Sequence, residues 1–138
     1  MFKTRNKVFE FSHLFTQWGG KACPKIICDI DGKKKTIFGW KTPAESEEYK
    51  EFLDAFLPAL VSFLNWKKLA DNCYFHLTDE PRSENSQAYG RCREMVKKHI
   101  GNIKIIDAIS EYEFLEKGVV DVAIPIVSAY KEFREKYF

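Results

Sequence analysis

The run Cys73–Pro81, reading C-Y-F-H-L-T-D-E-P, limits the folds open to this chain more than any other stretch. Tyr74, Phe75 and Leu77 favour a pleated, half-buried surface. Pro81 has no N–H to donate and biases Glu80 towards an extended backbone. A strand is therefore expected to end here, with Asp79 and Glu80 at its C-terminal tip. The helical stretch Ser86–Ile100 follows directly. Strand, carboxylate tip and helix in that order make a βα unit, and in α/β folds chemistry collects at the C-terminal ends of strands.

Side chains alternate across a strand, which sorts this run into two faces. Cys73, Phe75, Leu77 and Asp79 share one side. Tyr74, His76, Thr78 and Glu80 share the other. The first set is apolar until its last member and suits a face covered by helices. The second is bulky and polar and suits a barrel lumen, with Glu80 at the open end and His76 below it. The turn at Pro81 is expected to bring both carboxylates to one substrate.

The rest of the chain repeats the pattern. Lys7–Phe15, Asn102–Ile109 and Asp121–Val127 read as strands. Trp18-Gly19-Gly20 reads as a flexible turn after the first of them. Asp31-Gly32 between Lys25–Ile30 and Lys35–Trp40 predicts an antiparallel hairpin. Thr42-Pro43-Ala44-Glu45 has the form of a capping box, predicting a helix from Thr42 to about Leu64, kinked by Pro58. Its Tyr49, Leu53, Leu57, Leu60 and Leu64 recur at helical spacing. Further helices are expected over Gln87–Ile100, Glu111–Lys117 and Ala129–Phe138. Strands alternating with helices imply a parallel sheet. The expected fold is α/β: a partial (β/α)8 TIM-type barrel of about four βα units with an inserted β-hairpin.

Composition sets outer limits. At 138 residues, 45% hydrophobic, the chain supports a single domain over 1–138. The net charge of +2 is well mixed, and the Lys33–Lys35 run reads as a solvated turn, so no nucleic-acid surface is expected. No apolar run reaches the roughly 20 residues that span a bilayer. The four cysteines lack paired CxxC spacing and the three histidines are scattered, so no metal site is expected. Reduced thiols and the lack of a recognisable signal peptide favour a cytoplasmic location.

Two carboxylates at a strand tip can cleave a glycosidic bond, one as proton donor and the other as a charged stabiliser. Adjacent residues stand too close for an inverting pair with a water between. They better suit a mechanism in which the sugar's own 2-acetamido group attacks its anomeric carbon. The structural alternative is that Asp-Glu-Pro only begins a helix, where acids stabilise the macrodipole. Taken singly, Trp18, Trp40 and Trp66 suit a core, and His13 and His76 suit structural hydrogen bonds.

The segments F-S-H-L-F-T-Q-W-G-G (Phe11–Gly20), F-G-W-K-T (Phe38–Thr42) and Y-F-H-L-T-D-E-P (Tyr74–Pro81) resemble the catalytic domain of glycoside hydrolase family 123. That resemblance implies a (β/α)8 barrel acting as a β-N-acetylgalactosaminidase through substrate-assisted, retaining hydrolysis. It implies Glu80 as acid/base and Asp79 as the residue orienting the 2-acetamido group. His13, Trp18, Trp40 and His76 become candidate substrate contacts, with Asp107 and Tyr130 near later strand ends as candidates for sugar hydroxyls. It implies a carbohydrate partner and no cofactor. Family members are longer, so the chain is expected to be a fragment of a catalytic barrel, whose open edges invite self-association. The alternative is a non-catalytic piece that binds carbohydrate or only assembles with partner chains.

Overall fold

A computed structural model describes residues 8–16 and 19–136. Four strands form one sheet: β1 (Phe9–Phe11), β4 (Cys73–Phe75), β5 (Lys104–Asp107) and β6 (Val122–Ala123). The hairpin strands β2 (Ile27–Ile30) and β3 (Lys33–Thr36) form a second, two-stranded sheet inserted after β1. The helices are α1 (Glu47–Trp66), α2 (Ser86–Ile100), α3 (Glu113–Glu116) and α4 (Val127–Phe133).

Every pairing in the main sheet is parallel, in the order β1-β4-β5-β6. Hairpin apart, each strand lies beside the one before it in the chain. The fold is thus mixed α/β with helical crossovers, as the alternating pattern predicts.

The buried face of this sheet meets α1 and α2. Tyr49, Leu53, Leu57 and Leu64 of α1 and Tyr89, Cys92, Val96 and Ile100 of α2 are all buried. They cluster with Phe75, Leu77 and Ile105 from the strands. Burying each large apolar side chain contributes about 1.5–3 kcal/mol, so these two stripes hold the helices to the sheet. Phe11 and Phe75, register partners on β1 and β4, stack at 4.9 Å. The expected parity of Cys73, Phe75 and Leu77 holds, since all three are buried.

Several boundaries differ from expectation. The first helix starts at Glu47, with Ser46 as a cap that makes no side-chain bond. Thr42 is not the cap because its backbone is committed elsewhere. Its N–H donates to Gly39 O at 2.8 Å, and its carbonyl accepts from Cys23 N at 3.0 Å. Pro43 bridges to Ala22, while Glu45 pairs with Arg91 of α2 at 2.9 Å instead of closing a capping box. Pro58 lies inside α1, which continues to Trp66.

The strands are shorter than the β-rich runs that contain them. β4 stops at Phe75, although Leu14 N donates to His76 O at 3.0 Å and Phe15 N to Leu77 O at 2.8 Å beyond it. β6 has two residues, and Pro125 follows without a donor. Leu14 and Phe15 are both buried, so strand alternation has broken down before them. At the hairpin tip Asp31 and Gly32 have φ of 55° and 75°, the left-handed pair that a two-residue turn requires.

Candidate active site at the tip of β4

The chain past β4 carries the two carboxylates. Thr78 is fully buried, Asp79 and Glu80 are exposed, and Pro81 is buried again. The pair is therefore lifted into solvent between two anchored residues. Glu80 has φ of 39° rather than the extended backbone expected before a proline. Beyond the end of β4, Glu80 takes a turn between buried Thr78 and buried Pro81. Positive φ in a residue with a Cβ is strained, and such strain concentrates at functional sites.

The two acids have different neighbours. Glu80 lines a cleft of about 200 Å³ with Pro81, Arg82, Ala108, Ser110, Glu111 and Ile126. That cleft joins the tip of β4 to the segments following β5 and β6. Asp79 instead acts electrostatically on His13, on the β1 side.

His13 and His76 come together with ring centroids 5.1 Å apart, tilted by 54°. Burial holds the His13 pKa below the ordinary histidine value, and His76 lowers it further, against the opposing pull of Asp79. His13 is thereby biased to the neutral form.

Behind them lies Asp107, fully buried on β5. Oδ2 of Asp107 accepts the Tyr89 hydroxyl at 2.7 Å and Oδ1 lies 3.2 Å from His76 Nδ1. The Leu77 N–H donates to both oxygens at 3.1 and 3.2 Å. Burial raises this carboxyl to about 6, partly offset by the hydrogen bonds from Tyr89 and Leu77 and by His76. Asp107 was expected near an open strand end as a sugar contact. Its side chain instead points into the core, where three partners claim it.

One donor atom each from His13, His76 and Asp107 lies within 4.8 Å of the others, a grouping that scattered sequence positions did not announce. The hydrogen bonds decide how to read it. Both Asp107 oxygens are occupied and His76 Nδ1 faces one of them. His76 is hydrogen-bonded to the buried acid, and His13 joins the cluster through ring contact with His76.

The remaining candidates are Trp18, Trp40 and Tyr130. Trp18 falls outside the described residues. The glycines after it are not a flexible turn: a Cβ on Gly19 would lie 2.2 Å from Asn85 Cβ, and one on Gly20 would lie 2.6 Å from Cys92 Sγ. Both have φ near +80°, so close packing and backbone together demand glycine. Trp40 is 70% exposed in the turn between β3 and α1, and Trp66 is 71% exposed at the end of α1, so neither is core. Tyr130 is partly exposed on α4. Arg82, Ser110 and Glu111, which share the Glu80 cleft, were not anticipated. Ser110 and Glu111 follow β5 as Asp79 and Glu80 follow β4, and that positional rule would have found them.

A parallel, sequentially wound α/β sheet carries a carboxylate pair beyond the end of one strand. The family description "Glycoside hydrolase 123, catalytic domain" matches residues 4–137. The chain belongs to that family and is a glycoside hydrolase domain, whose substrates are carbohydrates. It matches no individual curated protein.

Proposed function

We propose that this domain hydrolyses terminal β-N-acetylgalactosaminides by substrate-assisted, retaining catalysis. Glu80 protonates the leaving oxygen and then activates water. Asp79 orients the 2-acetamido group and stabilises the oxazolinium-like intermediate that forms when its carbonyl oxygen attacks the anomeric carbon. The observation that carries this reading is the exposed Asp79–Glu80 pair, held at the β4 tip with Glu80 in a strained backbone conformation. Exposed Trp40 supplies a flat face on which a sugar can stack. The strand order β1-β4-β5-β6 supports a (β/α)8 architecture, because a barrel sheet is wound in one direction.

The test is release of p-nitrophenol from the β-linked 2-acetamido-galactoside and its glucoside epimer, with Glu80→Gln as control. Release from the galactoside that Glu80→Gln abolishes supports the proposal. Equal turnover by the variant removes Glu80 from the mechanism.

One observation favours a second reading, in which the domain binds carbohydrate or assembles with other chains without catalysis. Ile124, Ile126 and Val127 are 46%, 55% and 70% exposed around the β6 edge, an apolar surface suited to association. A monomer by sedimentation would exclude self-association through that edge.

A further inference from the structure

Glu10 on β1 and His76, the first residue past β4, converge on the face of the sheet that the helices leave open. The β1–β4 register pairs Glu10 with Tyr74 and Phe11 with Phe75. Phe11 and Phe75 stack on the helix-covered side, so alternation puts Glu10 on the opposite side. Glu10 is more than half exposed there, and Oε2 lies 3.8 Å from His76 Nε2.

The hydrogen bonding of His76 fixes what that nitrogen presents. His76 Nδ1 lies 3.2 Å from Asp107 Oδ1, and an ionised carboxylate only accepts. Nδ1 therefore carries the proton. In the neutral ring Nε2 is then the acceptor, and it lies on the side nearest Glu10 Oε2. The separation of 3.8 Å is beyond hydrogen-bond reach, and both groups are acceptors. Two neighbouring acceptors recognise donors, and paired hydroxyls on a pyranose ring are donors at that spacing. Asp107 cannot rotate to change this, because Tyr89 and Leu77 hold it.

We propose that Glu10 and His76 form a notch that binds sugar hydroxyls, with Asp107 acting as the positioning residue that keeps His76 an acceptor. This rests on the glycosidase reading of the β4 tip and adds a specificity-determining residue, Glu10, to it. His13, packed against His76 and within electrostatic reach of Asp79, connects the notch to the carboxylate pair.

The experiment titrates the full chain with N-acetylgalactosamine and follows the imidazole ¹⁵N and ¹H signals of His76. The wild type should show the Nδ1–H tautomer, and sugar should shift Nε2. Glu10→Ala should weaken binding about ten- to a hundredfold, the range for a hydrogen bond to a charged group, without moving the tautomer. Asp107→Asn should move the proton to Nε2 and also weaken binding, which a purely structural role would not do to the tautomer. Equal affinity in wild type and Glu10→Ala, a doubly protonated His76 at neutral pH, or no binding at all would overturn the notch. Glu80→Gln separates the two ideas. If it hydrolyses like the wild type, the proposed mechanism fails while the titration still judges Glu10.

Discussion

The Tyr89 hydroxyl donates to Oδ2 of Asp107 at 2.7 Å, so a residue of α2 and a residue of β5 share one buried carboxylate beneath the site. The same carboxylate takes the Leu77 N–H and faces His76. A single acid thus ties helix, two strands and the candidate site together.

That placement has a pH signature. The Asp107 carboxyl is raised to about 6, above its ordinary value, so the folded chain keeps this proton to higher pH than the unfolded chain does. Its contribution to stability is complete below the ordinary carboxylate range and is lost as pH rises through about 6. The loss is on the order of 3 kcal/mol. His13, lowered by burial, works in the opposite sense, so wild type must be compared with Asp107→Asn. Denaturant titrations from about pH 4 to about pH 7 should show the wild type losing stability relative to the variant. A pH-independent difference would count against a buried, ionising Asp107.

Glu80 invites a trade between stability and activity. Its φ of 39° costs a residue with a Cβ roughly 1 kcal/mol, which glycine avoids. Glu80→Gly should leave thermal stability unchanged or slightly higher while hydrolysis is lost. A clear drop in melting temperature would mean that the Glu80 side chain supports the fold.

Asp79→Asn should slow hydrolysis of 2-acetamido substrates far more than it weakens their binding. Steady-state constants on substrates with and without the acetamido group check this. Equal losses on both would contradict substrate assistance.

Trp40 is mostly solvent-exposed, so Trp40→Ala should change stability by less than about 0.5 kcal/mol, the range for surface sites. Its effect should fall on KM. An unfolded variant would show that the indole packs.

The broad layout was legible because it depends on periodicity. The α1 stripe from Tyr49 to Leu64, the α2 stripe and the Asp31-Gly32 turn all follow from local spacing and turn chemistry. Boundaries failed where tertiary contacts outbid local propensity. Thr42 resembles a cap, but its backbone groups serve the Cys23 and Gly39 loops. Pro81 marked where the β4 segment ends, but neither the Glu80 backbone nor the sides the two acids face followed from it: Glu80 has φ of 39° and Asp79, not Glu80, acts on His13. The Asp107 cluster was not legible, because its partners are brought together only by the parallel register of β4 and β5. Glu10 was invisible for the same reason, since a lone acid in a strand acquires meaning only from the neighbour across it.

The glycines after Trp18 carry a last consequence. The backbone at Gly19 passes so close to Asn85, just ahead of α2, that no side chain fits between them. The segment linking the Asp79–Glu80 tip to α2 and the Gly19-Gly20 turn are therefore cut to each other's shape. Chimeras that exchange one of them between related enzymes should fail unless the other travels with it, and directed evolution of either will be channelled by its counterpart.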